Sequence, residues 1–306
     1  MTEKWTKGEW IGGLARWEVD RTVYYSIAFT WKLDEAFAMA LFDKALGKRV
    51  VAGGPALFLA KMAHEISTVA EVGGKFGYPD AVSRHNPMAT EFSFGCDVGC
   101  AHCIVPAMHG RVFTLVPDAP VRPILCDNNL SALPTEFQDH ILARYQREEV
   151  PILDANSGFE PRTFTEEVYR RWKPTLDASY APWRFGYDDM VDQPYVRTVF
   201  KMLRNEPTKR KRVYVMIGNE PYAECMERIY EVIGNGCEPH VQPEIKLVSW
   251  ERKPWVRHDW TRQKLIDVAR WANGWVYRKV PNFEDYDRSN SKRRSEKYNA
   301  QEGMFV

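Results

Sequence analysis

Three of the six cysteines in this 306-residue chain lie in one short segment, "FSFGCDVGCAHC". Cys96, Cys100 and Cys103 form the spacing C-x3-C-x2-C directly after a predicted strand. A four-coordinate structural zinc site needs a fourth Cys or His. His102 is too close to its neighbouring cysteines to join them comfortably, and His109 has no second ligand pair. A [4Fe–4S] cluster on three thiolates keeps one iron open, which the missing fourth ligand favours.

The remaining cysteines, Cys126, Cys225 and Cys237, are isolated on predicted strand or helix segments, and we expect them to be packing residues. Buried structural thiols are also the alternative for the clustered three. Their close spacing in a glycine-flanked loop argues against that alternative. Short patterns of this kind still need structural context to confirm them.

Composition describes an ordinary globular protein. Hydrophobic residues make up 44% of the chain and the formal net charge is +1, which gives no overall attraction to nucleic acid or membrane. The longest apolar runs are too short and too rich in glycine to span a bilayer. The N-terminus lacks the apolar region of a secretory signal, so we expect a cytoplasmic protein. In that compartment, clustered cysteines indicate metal or redox chemistry rather than disulfides.

The pattern of strands and helices predicts an α/β fold. Six strand candidates alternate with helical segments after residue 85, which indicates a parallel, barrel-like sheet with its active site at the carboxyl ends of the strands. The predicted strands are 90–95, 121–127, 150–158, 181–189, 211–218 and 240–248. The predicted helices are 133–148, 163–176, 194–205 and 221–236.

The chain divides into three predicted parts. Residues 1–85 contain a strand, a helix and a second strand (21–31, 34–46 and from 48), which together predict a small Rossmann-like α/β segment. A Gly- and Pro-rich stretch, 71–87, is the expected boundary. Residues 86–286 form the predicted barrel domain. Residues 287–306 are charged and nearly free of apolar side chains, which favours a mobile tail.

The cysteine motif and the strands that follow it resemble the radical S-adenosylmethionine (SAM) superfamily over residues 88–285. The resemblance implies a partial (β/α)6 TIM-like barrel, a [4Fe–4S] cluster on Cys96, Cys100 and Cys103, and SAM bound at the open iron. It also implies an external electron donor of the flavodoxin or ferredoxin type. Members of the superfamily cleave SAM reductively to a 5′-deoxyadenosyl radical. His102 stands where they usually place an aromatic residue that packs on adenine.

The resemblance also implies binding residues at the next two strand ends. Asp127 and Asn128 follow the second barrel strand, where the superfamily places polar groups that meet the SAM amino group or the substrate. Their alternative role is a helix N-cap, which Asp and Asn also favour. Asn156 and Ser157 follow the third strand, in a stretch that resembles the one touching the SAM ribose and carboxylate.

Three further residues complete the predicted cofactor site. Arg162 is suited to a bidentate pair with the SAM carboxylate, and its alternative is a surface ion pair with Glu166. Arg184 is a charged residue in an otherwise aromatic strand, which implies a lined cavity or a strong partner. Gly218 ends the fifth strand and resembles a glycine of the superfamily that lets the backbone approach adenine, although ordinary turn chemistry also explains it.

Residues 1–85 resemble the cobalamin-binding-type domain that precedes the barrel in one subgroup of the superfamily. The segment is short and its ligand motif, D-x-H-x-x-G, is absent, so we expect no cobalamin. The sequence does not identify the substrate, small or macromolecular. Two alternative functions remain: an Fe–S protein without catalysis, which would need a fully ligated cluster, and a nucleic-acid-modifying enzyme. For the second, the basic clusters are 208–212 and 291–297.

Overall fold

The computed structural model describes residues 5–59, 64–73 and 80–287. The predicted tail therefore lies outside the described residues, apart from Asp287. Within the described ranges, no helix has both the length and the apolar composition needed to cross a bilayer. The chain is a mixed α/β protein in which most of the strand pairs are parallel.

The N-terminal part is built on a four-stranded sheet in the order β1-β2-β3-β4. Its strands are β1 Leu14–Val19, β2 Thr22–Ile27, β3 Arg49–Gly53 and β4 Glu71–Val72. Its helices are α1 Leu33–Ala45, α2 Pro55–Leu59, α3 His64–Val69 and α4 Asp80–His85. Strands β2 and β3 are parallel and α1 connects them, which is the predicted βαβ unit. Strand β1, and with it the antiparallel hairpin of β1 and β2, was not predicted.

The remaining strands form two three-stranded parallel sheets and a hairpin. The first sheet has the order β5-β8-β9 and consists of β5 Ala89–Thr90, β8 Ile124–Leu125 and β9 Asp154–Ala155. The second has the order β10-β11-β12 and consists of β10 Trp183–Gly186, β11 Lys211–Ile217 and β12 Glu238–Pro243. The hairpin pairs β6 Ser93–Phe94 with β7 Thr114–Leu115. A single parallel bridge between Phe159 and Phe185 joins the two sheets, and no sheet of the described residues closes into a barrel.

Helices follow most of these strands, so that a helical crossover connects each parallel strand to its neighbour. They are α5 Val105–His109, α6 Thr135–Arg147, α7 Glu166–Ala178, α8 Gln193–Met202, α9 Tyr222–Gly234 and α10 Arg262–Asn273. Helices α6 to α9 agree with the four predicted helices to within three residues at each end. Two helices start with a side-chain cap: Thr165 accepts from the Val168 amide before α7, and Thr261 accepts from the Lys264 amide before α10.

Two apolar cores fill the space between these strands and helices. Phe159, Trp172 and Trp183 lie in the core that packs on the first sheet. The second core lies against β11 and β12 and includes Ile229 and Trp271. In the segment 271–286, Trp271, Tyr277 and Phe283 are buried in this core, whereas Trp275 is exposed.

On β11 the face opposite the second core carries polar side chains such as Arg212 and Tyr214. On the first sheet the face opposite the first core carries a small apolar cluster of Ala89, Ile124 and Cys126.

Candidate active site

The loop that carries the three cysteines leaves β6 and is held at its base. Gly95 has a φ of +102° and begins the loop, and a Cβ there would lie 2.8 Å from the Val112 carbonyl oxygen. The Cys96 amide then donates to the Gly110 carbonyl at 3.2 Å. Within the loop, the Cys103 amide donates to the Cys100 carbonyl at 3.1 Å. These bonds close the segment into a compact turn at the carboxyl end of the first sheet.

All three thiols in this loop are free and half-buried, whereas the other three cysteines are buried. The isolated cysteines lie in or beside the apolar cores, with Cys225 and Cys237 in the second core. Exposure therefore separates the predicted ligands from the predicted packing residues. In the described residues, no three Cys, His, Asp or Glu side chains are already grouped closely enough to hold a metal ion. Ligation therefore requires the cysteine side chains to turn toward a common centre.

Two donor side chains from other strand ends reach the sulfurs. The Nδ2 of Asn129, which follows β8, lies 3.9 Å from the Sγ of Cys96 and 3.4 Å from Asp97 Oδ1. The Nη1 of Arg162, which follows β9, lies 3.7 Å from the Sγ of Cys100. Donors of this kind stabilise a thiolate more than a thiol. The two donors therefore offset part of the cost of placing negative charge on Cys96 and Cys100.

Burial works against ionisation of these thiols before a metal binds. It raises the pKa of Cys96 and Cys103, and it raises the pKa of Cys100 to about 11 in spite of the hydrogen bond from Arg162. A metal ligand must be a thiolate. Cluster binding would therefore release protons, and its free energy must include their removal.

Arg162 does not form the ion pair that was its alternative in the sequence. Its Nη2 bonds to the Asp192 carboxylate, and its Nε lies 3.8 Å from Glu160 Oε1. Glu166 pairs with Arg170 instead, at 3.1 Å. The guanidinium is therefore directed to the cysteine loop. The neighbouring carboxylates of Asp192 and Glu160 lie on segments at the same edge of the sheets.

His102 contacts the end of β10. Its Nε2 lies 3.3 Å from Asp188 Oδ2 and its Nδ1 lies 3.9 Å from Asp189 Oδ2. Burial acts to lower the pKa of His102, but the hydrogen bond and charge of Asp188 outweigh it and raise the pKa. The cysteine loop is thus tied through His102 to the β10 end, and through Arg162 to the loop after β9.

The β10 and β11 ends are held in place by a buried cation. Asn219 donates to the Asp188 carbonyl at 2.6 Å and to Asp189 Oδ1 at 2.7 Å. Arg228 of α9 is fully buried and donates to the Tyr187 carbonyl at 2.6 Å. Its Nη2 also lies 3.3 Å from Asn219 Oδ1. Neither Asn219 nor Arg228 was predicted as a site residue.

The predicted residues after β8 lie in different surroundings. The Asp127 carboxylate is fully buried and accepts from the Phe92 amide at 3.1 Å and the Ser93 hydroxyl at 2.6 Å. It thus ties β8 to the segment before the cysteines instead of facing the loop. Burial raises the pKa of Asp127 to about 6. The Nδ2 of Asn128 is buried and has no hydrogen-bond partner in the described part of the chain.

Asn129, the next residue, is the N-cap of a short 3-10 helix and accepts from the Ala132 amide at 3.2 Å. The predicted capping role therefore belongs to Asn129 rather than to Asp127 or Asn128. An orphaned buried donor such as the Asn128 amide costs free energy unless a ligand supplies an acceptor.

The remaining predicted site residues lie in or directly after β9, β10 and β11. Ser157 is exposed and its hydroxyl donates to the Cys126 carbonyl at 3.1 Å, while Asn156 is half-buried. Arg184 is buried and forms a bidentate pair with Asp154, so it has the strong partner that its strand position implied. Gly218 has a φ of +93°, which only glycine adopts readily, so turn geometry alone accounts for it.

The basic cluster 208–212 is not an open cationic surface. Arg210 and Lys211 are buried, and Arg210 Nη1 lies 2.9 Å from Glu206 Oε2. The second cluster, 291–297, lies outside the described residues. The 208–212 segment therefore offers little to a phosphate backbone.

Comparisons with known proteins add no relative to this picture. The chain matches no protein-family model and no curated protein. The site is therefore interpreted from its own residues and geometry.

Proposed function

We propose that the chain is a radical SAM enzyme that binds one [4Fe–4S] cluster through Cys96, Cys100 and Cys103. The observation that carries the proposal is the set of three free, half-buried thiols in one loop, with donors from two other strand ends on two of the sulfurs. A set of packing cysteines gives no reason for a guanidinium beside Cys100.

The proposal includes a finer description of the fold. The two parallel sheets, joined in sequence order by the Phe159–Phe185 bridge, are interpreted as the six strands of an open, partial (β/α)6 barrel. Crossovers α6 to α9 and the location of the cysteine loop at the strand ends support this interpretation. In such a barrel, loops from different strands converge on one mouth, where a single ligand meets residues that are distant in sequence.

When bound, the cluster would supply one electron and an open iron for SAM, whose sulfonium bond is then cleaved to methionine and a 5′-deoxyadenosyl radical. The residues around it have separate roles. Cys96, Cys100 and Cys103 would hold the iron. Arg162 would stabilise charge at Cys100 and attract the SAM carboxylate, and the unpartnered amide of Asn128 would donate to an acceptor on the ligand.

The test is anaerobic reconstitution with iron and sulfide, followed by incubation with SAM and dithionite. We expect about four irons per chain and the formation of 5′-deoxyadenosine. Cys100→Ala should lose both, while Cys237→Ala, which changes a buried cysteine remote from the loop, should keep the iron. Full iron content in Cys100→Ala would refute the ligand assignment. A normal cluster without any 5′-deoxyadenosine would refute the catalytic proposal and favour a non-catalytic Fe–S protein.

A further inference from the structure

The face of β11 and β12 that points away from the helices carries polar side chains. Along β11, Val213 and Val215 are buried in the second core, while Tyr214 and Met216 alternate with them and lie on the opposite face. The same alternation on β12 places His240 and Gln242 beside Tyr214 and Met216, their partners in the strand register. We call this surface the inward face.

The charged groups on the inward face are already paired. Arg184 bonds to both carboxylate oxygens of Asp154 and donates to the hydroxyl of Tyr214. Arg212 Nη2 lies 3.3 Å from Glu238 Oε2. Because each of these cations has a carboxylate partner, the face has little excess charge with which to attract a phosphate or a carboxylate.

Three polar side chains have no such partners. In the described part of the chain, the side chains of Glu91, Asn156 and Gln242 form no hydrogen bond and no ion pair. Asn156 alternates with Ala155, which lies in the first core, and so belongs to the inward face. Glu91 follows β5 and lies close enough to Cys126 to influence its thiol.

The titratable side chains of Glu91 and His240 on the inward face are mostly uncharged at neutral pH. Burial, together with the neighbouring Asp127 charge, raises the pKa of Glu91 to about 8, so that its carboxyl group is mainly protonated. Burial, with the charges of Arg212 and Arg184, lowers the pKa of His240 to about 4. The inward face therefore offers neutral donors and acceptors rather than charges.

A glycine connects the inward face to the cysteine loop. Gly186 pairs with Tyr214 in the register of β10 and β11, next to the row of polar side chains. A Cβ at this position would lie 3.2 Å from the Asp188 carboxylate, which itself contacts His102. Because Gly186 has no side chain, the Asp188 carboxylate lies close to the backbone beside Tyr214 and, through His102, contacts the cysteine loop.

We propose that the inward face binds the substrate and that the reacting group is a nucleobase, free or in a nucleotide chain. Amide side chains such as Gln242 and Asn156 match the paired donors and acceptors on base edges, and a carboxyl group such as Glu91 pairs with ring or exocyclic nitrogens. Met216 is suited to contact with the flat ring. This inference rests on the proposed function, because it places the base next to the site where the radical would form.

The experiment is a calorimetric titration of the full chain with adenosine, cytidine, guanosine and uridine in turn. Saturating S-adenosylhomocysteine is present, so that the SAM site is filled. We expect one nucleoside to bind. Gln242→Leu on β12 and Glu91→Leu just after β5 should each weaken its binding about tenfold, as expected for the loss of a buried hydrogen bond. The matched control is Gln263→Leu, which changes an exposed amide of α10 and should leave the affinity unchanged.

A short single-stranded oligonucleotide containing the same base distinguishes a free base from a base in a nucleotide chain. Tighter binding of the oligonucleotide than of the nucleoside would identify a base in a nucleotide chain. Circular dichroism verifies that each variant is folded. The proposal is wrong if neither nucleosides nor oligonucleotides bind in the presence of S-adenosylhomocysteine, or if folded inward-face variants bind like the unaltered chain. The titration requires neither a cluster nor turnover, so its failure is distinct from a failure of the proposed function.

Discussion

At the scale of single residues, Arg162 is the side chain whose surroundings most clearly indicate a functional role. It contacts a predicted cluster ligand, Cys100, and two carboxylates, Asp192 and Glu160, while part of its side chain stays accessible. A guanidinium needed only for an ion pair would not have to face a thiol. We infer that the two carboxylates orient Arg162 so that donors remain for a ligand.

Arg162→Ala tests this role. The change removes a charge-assisted contact, so SAM affinity should fall by about tenfold to a few hundredfold, while the iron content stays normal because the cluster needs only the thiolates. Arg170→Ala is the matched control, since Arg170 is exposed and forms an ion pair with Glu166. Equilibrium binding of SAM to each reconstituted variant gives the answer. If both variants bind SAM equally well, Arg162 has no part in holding it.

Sequence spacing could select the three cysteines as candidate ligands, because the chemistry proposed for them depends on positions a few residues apart. It could not choose between Asn128 and Asn129. The two are adjacent and chemically identical, and only the turn of the backbone directs Asn129 to Cys96 and leaves the Asn128 amide without a partner. For the same reason Asp127, predicted to meet SAM or the substrate, is buried and accepts hydrogen bonds from Phe92 and Ser93. Side-chain direction at a strand end depends on tertiary contacts.

At the scale of secondary-structure elements, α9 positions the ends of two strands. Arg228 projects from this helix, donates to the Tyr187 carbonyl beyond β10, and lies 2.9 Å from Glu220, which follows β11. Glu220 in turn accepts from the Met190 amide at 2.9 Å. One buried cation therefore connects the two loops that carry Asp188 and Asn219 to the same helix.

Arg228→Met should destabilise the protein strongly. It removes a fully buried charge and leaves the Tyr187 carbonyl and the Glu220 carboxylate without their partner, a loss worth about 3 to 5 kcal/mol. Urea denaturation measures it as a lower midpoint with an unchanged slope. Arg197→Met, at an exposed ion pair with Glu231, should leave the midpoint nearly unchanged. Similar midpoints for the two variants would contradict a structural role for Arg228.

Helices were easier to predict than strands. Amphipathic periodicity extends over ten or more residues in α6 to α9, so the pattern determines both their type and approximate ends. Strands β5, β8 and β9 have only two paired residues each, because the chain soon leaves the ladder for loops. The predicted strands there are too long. Helix α10 was not predicted, and its apolar positions are recognisable as a core face only beside β12.

At the scale of the whole molecule, two polar contacts tie the N-terminal part to the rest of the chain. The Thr30 hydroxyl donates to the Ser249 carbonyl. Lys7 reaches Asp154 of β9 at 3.5 Å. These contacts fit a part that supports the two parallel sheets, and we expect it to carry no large cofactor.

Cobalamin uptake tests that interpretation. Replacing the lower ligand of cobalamin requires a histidine in the motif D-x-H-x-x-G, but Met62 stands two positions before His64 and Ser83 two positions before His85. His85 is further engaged by Ser26, which restrains its ring. Incubation of the purified chain with hydroxocobalamin, gel filtration and an absorption spectrum should show no cobalamin eluting with the protein. Tight, stoichiometric uptake would overturn the supporting role and assign the N-terminal sheet to cofactor binding, with the radical chemistry then directed to methyl transfer.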